Sequence, residues 1–82
     1  MFIVYIIYSI RLNRYYVGYS QDVQKRLDEH NSGISDFTAK TNDWQLRYTE
    51  SFADGKRAIS REKEIKNKKS RKYIEWLISK SI

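Results

Sequence analysis

The stretch RYYVGYSQDVQKRLDEHNSG, residues 14–33, places a tyrosine, an arginine and a histidine close together in the chain. Arg26 and His30 are four residues apart, so on a helix both side chains lie on one face. An arginine can hold a phosphate by two parallel hydrogen bonds. The alternative is a surface arginine one turn from a histidine whose hydrogen bonds are satisfied in the core. The spacing therefore indicates either a phosphate site, which Tyr16 would join, or ordinary packing.

Two tyrosines, Tyr5 and Tyr16, fall in the two apolar runs that precede this helix. A phenol has a reference pKa of about 10, so it is a poor base unless nearby cations lower that pKa. Lysines, an arginine or a metal-bound water would have this effect. The alternative is a cross-strand aromatic pair that only packs. Gly18 lies in the second run, where a glycine marks a bulge or a close approach of the backbone.

Glu62 is an acidic residue on an otherwise apolar helical face. The other members of that face are Ala58, Ile59 and Ile65. A carboxylate directed at a core is costly unless it is paired or bound to a metal ion. The alternative is a solvated ion pair with Lys66, four residues further on.

Cysteine is absent from the chain and histidine occurs once. This composition excludes a disulfide framework, a thiolate zinc site and a site with several histidine ligands. A bound metal ion would have to take oxygen ligands, which favours Mg²⁺ or Mn²⁺. The lack of cysteine also fits a reducing compartment, and we expect a cytoplasmic protein.

The chain is basic, with a formal net charge of +6. Much of this charge falls in segment 56–72, where only Glu62 and Glu64 are acidic. Such a segment could neutralise the phosphates of DNA or RNA, and an ordinary pair of charged helices in solvent is the alternative. The candidate contacts to nucleic acid are Lys63, Lys66, Lys68, Lys69, Arg71 and Lys72.

Hydrophobic periodicity predicts the elements that position these residues. Residues 2–9 and 14–20 are rich in β-branched and aromatic side chains and predict a β-hairpin. A helix follows, with Ser20 as its predicted N-cap and Asp22 near its N-terminus, through residues 23–31. Gly33 ends it in the C′ position.

The second half of the chain predicts a strand and two helices. Residues 34–44 form a loop or short helix, and a strand follows at 45–53, with Leu46 and Tyr48 in alternation and a break in phase before Phe52. Asp54 caps a helix over 55–69. Ser70 caps the last helix, whose apolar stripe consists of Tyr73, Ile74, Leu77 and Ile78.

The order of these elements predicts an α+β fold, a small antiparallel sheet covered by helices, in one domain over residues 1–82. The apolar run at residues 1–10 is too short to span a bilayer and lacks the flanks of a signal peptide. We therefore expect no membrane partner.

Taken together, these stretches resemble the GIY-YIG nuclease family over about residues 2–80. The first signature tripeptide falls on Ile3-Val4-Tyr5 and the second on Tyr16-Val17-Gly18, with ten residues between the two tyrosines. Ile3 stands where the family has glycine, and Val17 where it has isoleucine. The further matches are KRL at 25–27, HNSG at 30–33 and AISREKEIK at 58–66. The chain resembles in particular the small stand-alone bacterial branch, which is similar to the nuclease domain of an excision-repair endonuclease.

The resemblance implies a three-stranded antiparallel sheet flanked by helices and a metal-dependent DNA endonuclease, structure-selective in repair or recombination. Glu62 would be the ligand of one divalent ion, Mg²⁺ or Mn²⁺, and Arg26 would hold the scissile phosphate. Tyr5 would be the general base for the attacking water, and Tyr16 would position the water or the phosphate. His30 would relay a proton or bond to a tyrosine. Gly18 would let the backbone approach closely.

Two other functions stay open from the sequence. The first is a binding module of the same fold with little activity without a protein partner. The second is an RNA nuclease or RNA-binding protein, in which exposed tyrosines would stack on unpaired bases. We expect a buried hairpin, which disfavours the RNA alternative.

Overall fold

A computed structural model of the chain describes residues 1–33 and 38–80. Its elements in chain order are β1 (Phe2–Ser9), β2 (Arg14–Ser20), α1 (Val23–Asn31), a 3₁₀ turn (Thr38–Lys40), β3 (Trp44–Phe52), α2 (Gly55–Asn67) and α3 (Arg71–Lys80). The predicted loop or short helix at 34–44 lies partly outside the described residues. Within that range, the structure has the 3₁₀ turn and the first residue of β3.

The described strands form one antiparallel sheet in the order β2-β1-β3. The predicted α+β fold, a three-stranded antiparallel sheet flanked by helices, is confirmed. β1 lies in the centre, which its unbroken run of β-branched and aromatic residues allows because both faces of the strand are covered. In the β1–β2 ladder, Tyr5 lies opposite Gly18 and Ile7 lies opposite Tyr16.

The ladder between β1 and β3 contains one irregularity. Ile6 pairs with Tyr48 and Ile7 pairs with Leu46, so Arg47 is an extra residue on β3. The predicted position of the break in phase, after Tyr48, is therefore wrong. The break comes before Tyr48 because the bulge reverses the side-chain alternation there. Leu46, predicted as an inward residue, has 43% of its surface exposed.

Side chains of β1 alternate between two clusters because successive residues of a strand point to opposite faces. Val4 and Ile6 join the larger cluster under α2 and α3, whose other buried members are Val17, Tyr48, Ala58, Ile65 and Leu77. Tyr5 and Ile7 join a smaller cluster with Trp44, against which residues of α1 pack. Tyr5 and Tyr16 therefore belong to the face with the smaller apolar cluster, whereas Glu62 comes from α2, which covers the larger one.

The N-cap of α1 is Asp22 rather than the predicted Ser20. Asp22 Oδ1 accepts a hydrogen bond from the Lys25 N–H at 3.1 Å. Ser20 is the last residue of β2 and pairs with Ile3, so it lies too early in the chain to cap the helix. Gly33 follows the C-cap residue with φ +82°, as predicted.

The last two helices are separated by a short turn. Asp54 caps α2, as predicted, by accepting from the Lys56 N–H at 2.9 Å. The helix ends at Asn67, two residues before the predicted end, because Lys69 adopts a left-handed conformation with φ 48°. Ser70 Oγ accepts from the Tyr73 N–H at 3.1 Å, which confirms the predicted cap of α3.

Arg61 holds α2 against its neighbours. Its guanidinium donates to Glu50 of β3, with Nη2 2.9 Å from Oε2, and to Tyr73 Oη of α3 at 3.0 Å. These bonds and the apolar cluster beneath them fix α2, and with it Glu62, relative to the sheet. None of the helices in the described part of the chain has the length and apolar character needed to cross a bilayer.

Candidate active site

Tyr5, Tyr16 and His30 meet on the α1 side of the sheet. Tyr5 Oη lies 2.8 Å from His30 Nε2, and both residues are buried. The Tyr16 ring meets the His30 ring edge-on, with 5.0 Å between centroids. Tyr5 and Tyr16 are thus not a directly opposed cross-strand pair. Their strands place them diagonally on one face, and the imidazole from α1 contacts both.

Gly18 allows this arrangement. A Cβ at this position would lie 2.5 Å from Tyr5 Oη and 2.7 Å from Tyr5 Cζ, distances that real Cβ contacts do not reach. The Tyr5 phenol therefore lies directly over the β2 backbone. Of the two predicted roles of this glycine, the close approach of the backbone is the one present.

Burial controls the protonation of the Tyr5–His30 pair. Burial raises the pKa of Tyr5, although the nearby Arg26 guanidinium opposes that rise. Burial and the nearby charge of Arg26 both lower the pKa of His30. The phenol is therefore protonated and the imidazole neutral. A tyrosine acts as a base more easily when nearby cations lower its pKa. Here the pKa is raised instead, because desolvation outweighs the single cation.

The donor in the hydrogen bond between Tyr5 and His30 depends on the tautomer of the imidazole. A neutral imidazole with its hydrogen on Nδ1 accepts the phenolic hydrogen at Nε2. In that tautomer the phenol donates into the core, and the Arg26 guanidinium lies near the phenolic oxygen.

Arg26 is held at the mouth of the site. Its Nη1 donates to Glu29 Oε1 at 2.8 Å, and about 33% of its side chain is exposed. A guanidinium carries five donors, which is more than the contacts to Glu29 and Tyr5 require. Glu29 was not among the residues predicted from the sequence, although its spacing of three residues from Arg26 on one helix is a usable signal.

Glu62 approaches the same cluster from α2. Its side chain is only 15% exposed, and Oε2 lies 3.6 Å from Lys66 Nζ. Its negative charge also contributes to the raised pKa of Tyr5, so the carboxylate acts electrostatically on the phenol. Lys66 Nζ in turn lies 5.6 Å from the centroid of the Tyr16 ring. The predicted ion pair with Lys66 is present, and Lys66 links the carboxylate to the Tyr16 ring.

The donor chemistry of Glu62 fits a divalent ion. Within residues 1–33 and 38–80 no group of three or more histidine, aspartate and glutamate side chains could hold a metal by itself. Mg²⁺ and similar ions do not need such a cage, since they keep several waters and use one or two carboxylates together with substrate phosphates. A nearly buried carboxylate with one long ion pair meets that requirement.

The six predicted nucleic-acid contacts are all exposed residues of α2, α3 and the turn between them. They differ in their neighbours. Lys66 lies at the site itself, whereas Lys68 Nζ lies 4.7 Å over the Tyr73 ring. Arg71 is bonded to Asn13 and Glu75, so part of its charge is already used within the protein. Lys63, Lys69 and Lys72 complete the set.

Comparison with known proteins places the chain among nucleases. The family model described as the GIY-YIG catalytic domain matches residues 1–74, a range that includes Tyr5, Glu62 and every site residue between them. A UPF0213 protein of Halobacterium salinarum is 45% identical over 53 residues, which are 63% of this chain and 69% of the relative. A UPF0213 protein of Bacillus velezensis is 37% identical over 67 residues, which are 77% of this chain and 68% of the relative.

A solved structure has the same fold. The solution NMR structure of a UPF0213 protein from Bacillus halodurans superimposes with a TM-score of 0.60. Its sequence is 32% identical, and the match covers 96% of this chain and 84% of that protein.

Proposed function

The chain belongs to the GIY-YIG family of nucleases, and from that premise we propose that it is a divalent-metal-dependent DNA endonuclease that hydrolyses phosphodiester bonds. One observation carries the proposal. The Tyr5 phenol is hydrogen-bonded to buried His30, and the charges of Arg26 and Glu62 influence its pKa. These residues come from three separate parts of the chain: β1, α1 and α2. Simple packing does not require a phenol, a guanidinium and a carboxylate around a neutral imidazole.

Arg26 would hold the scissile phosphate. It is the partly exposed cation at the mouth of the site, and Glu29 restrains its side chain. A fixed guanidinium offsets the negative charge that grows on the phosphate oxygens as the water attacks. Tyr16, whose ring rests on His30, would set the position of the water or the phosphate.

Tyr5 and His30 would accept the proton of the attacking water together. The water gives a proton to Tyr5 Oη as the phenolic hydrogen passes to His30 Nε2, so the phenol never has to ionise alone. This route suits a phenol whose pKa is raised and an imidazole that starts neutral. The imidazolium that results is a buried cation, and the substrate phosphate beside Arg26 supplies the negative charge that offsets it.

Glu62 would hold the divalent ion, Mg²⁺ or Mn²⁺. When bound, such an ion stabilises charge on the phosphate and on the leaving oxygen. Membership of the family supports a divalent ion at this position. Lys66 would give up part of its contact with Glu62 when the ion binds, and its ammonium would then be available to the DNA backbone.

The exposed lysines of α2 and α3 would bind the DNA backbone. Contacts of this kind depend on salt and carry little sequence information. We therefore propose selection by DNA structure, in a cytoplasmic role in repair or recombination, with a protein partner as a further source of targeting.

The test is nicking of a labelled panel of single strand, duplex, flap and four-way junction in Mg²⁺ or Mn²⁺. We expect wild type to nick at least one member and Glu62→Gln to reduce the rate by roughly 10²–10³-fold or more. Glu64→Gln is the matched control, since Glu64 lies on the same helix, is exposed and pairs with Arg61.

Circular dichroism of both variants separates a catalytic loss from unfolding. Equal nicking by wild type and folded Glu62→Gln would contradict the assigned role of Glu62. Salt-dependent binding without nicking by any variant would instead favour the alternative, a binding module of this fold that needs a partner.

A further inference from the structure

A groove of about 490 Å³ lies beside the candidate active site, between the β1–β2 turn and the junction of α2 and α3. Val17, Ile65 and Ile74 give it an apolar floor. Tyr16 and Lys66 line it as well, and both belong to the candidate site. The groove therefore adjoins the candidate site at Tyr16 and Lys66. Its volume is within the range of about 300–1,000 Å³ typical of small-molecule sites.

The two walls of the groove are held in place. Asn13 in the β1–β2 turn and Lys69 between the helices both have positive φ, 52° and 48°, which residues with side chains seldom adopt. Arg71 ties the walls together, since its Nη1 donates to Asn13 O at 2.9 Å and its Nη2 to Asn13 Oδ1 at 2.6 Å. These bonds join residues 58 positions apart in the sequence. The groove is thus built before any ligand arrives.

The charge of the groove is of one sign. Its cationic lining residues are Arg14, Lys66, Lys69 and Arg71. Of the described residues that line the groove, none is acidic. A ligand that matches both the floor and the rim must carry an apolar face and an anionic group.

We propose that this groove binds one unpaired nucleotide of the DNA strand, adjacent to the scissile phosphate. The inference rests on the proposed function and adds a substrate class to it, DNA with an unpaired nucleotide next to the nicking position. The base would rest on the apolar floor beside Tyr15 and Tyr16, and its flanking phosphates would meet Lys66 and Lys69.

A paired duplex fits the groove poorly. Its bases are stacked on one another, so it presents phosphates and sugars and would leave the apolar floor without a partner. An unpaired base offers its flat face, and stacking on aromatic side chains tolerates any base. The lysines outside the groove, Lys63, Lys68 and Lys72, would remain for the duplex part of the substrate.

The test is an abasic scan in which cleavage plays no part. Folded Glu62→Gln is titrated with a flap substrate in which a single abasic site is moved along the unpaired strand. We expect one position at which loss of the base weakens binding about tenfold, the effect of losing roughly one stacked base. Uniform affinity along the strand would overturn the proposal.

Two variants place the effect in the groove. Adding Tyr15→Leu keeps an apolar side chain but removes the aromatic face, and it should abolish the dependence on position. Adding Lys69→Asn removes a rim charge while asparagine tolerates the left-handed backbone, and it should lower the salt slope of binding by about one. Lys56→Asn is the control, since Lys56 is an exposed lysine of α2 that does not line the groove.

The outcomes distinguish this inference from the proposed function. Positional dependence that survives Tyr15→Leu, together with a salt slope that Lys69→Asn leaves unchanged, would overturn the inference, because the base would then bind elsewhere. If Tyr15→Leu fails to fold, the abasic scan and the salt slope of Lys69→Asn still test whether the groove binds the nucleotide. Absence of nicking by wild type together with a groove-dependent abasic effect would reject the endonuclease while supporting the nucleotide site.

Discussion

The two faces of β1 use the same strand for opposite purposes. On one face, Val4 and Ile6 pack against aliphatic side chains of α2 and α3 in an apolar cluster. On the other face, Tyr5 is equally buried but forms a hydrogen bond with a buried histidine. The first face contributes stability through apolar area removed from water. The second face places polar groups in a smaller apolar cluster, where desolvation moves their pKa values in opposite directions.

The difference shows how a small domain can contain a site without losing its fold. Burying polar groups is costly unless each is hydrogen-bonded, and in the described residues no buried side-chain nitrogen or oxygen lacks a partner. The aliphatic face stabilises the sheet, so the other face can hold Tyr5 and His30 in a fixed geometry. Three predictions test this division, from the largest expected effect on stability to the smallest.

The largest effect should come from the aliphatic face. Leu77 of α3 is fully buried, so Leu77→Ala should lower the free energy of unfolding by about 2–5 kcal/mol, from lost burial and the cavity left behind. Urea denaturation measures this. Leu27→Ala on the other face, where Leu27 is only half-buried, should cost less than about 2 kcal/mol. A larger loss for Leu27→Ala than for Leu77→Ala would contradict the division.

The next effect should come from Gly18→Ala. The added methyl group would overlap the Tyr5 phenol at 2.5 Å, so the ring must move away from His30. We expect a loss of about 1–3 kcal/mol in stability and of nearly all nicking activity.

Gly55→Ala is the matched control for that substitution. A Cβ added at Gly55 would come no closer than 3.3 Å to the Phe2 ring. Alanine also favours α2, which begins at this residue. The control should change stability by less than about 1 kcal/mol and leave nicking intact. Wild-type nicking by Gly18→Ala would show that the position of Tyr5 is not critical.

The smallest effect is a pH dependence that isolates His30, the single histidine of the chain. Its pKa in the folded protein lies below the ordinary value of 6.5 because of burial and Arg26. Between these two pKa values the unfolded chain binds more protons, so stability rises with pH. The contribution is complete above about pH 6.5 and is lost as the pH falls through the folded-state pKa.

The urea midpoint of wild type should therefore decrease as the pH is lowered from 7.5 to 5. His30→Gln, which can still bond to Tyr5 but does not titrate in this range, should show a flatter profile. Parallel profiles for the two proteins would mean that His30 is not held neutral by its surroundings.

Local patterns predicted most of the elements correctly. β-branched runs identified the hairpin, and Asp54, Ser70 and Gly33 marked helix ends where the structure has them. Two of the errors share a cause. Ser20 could not cap α1 because it pairs with Ile3, and the bulge at Arg47 depends on the register of β3 against β1. Both are properties of strand pairing, which no single segment encodes.

The candidate site divides in the same way. The residue types and their spacing in the two signature tripeptides, the helix with Arg26 and His30, and Glu62 among apolar residues were visible in the chain. The sequence did not show which of these side chains are in contact. Glu29 was missed because its role depends on the rotamer of Arg26, and the raised pKa of Tyr5 depends on how much water the packing removes.

The sequence alone determined the order of strands and helices along the chain, the basic charge and the resemblance to the family, because these follow from local periodicity and composition. Tertiary structure decided the Tyr5–His30 bond across 25 residues, the need for glycine at position 18, the direction of two pKa shifts and the groove closed by Arg71 and Asn13. The physical reason is that distance between remote residues and removal of water are set by packing of the whole chain.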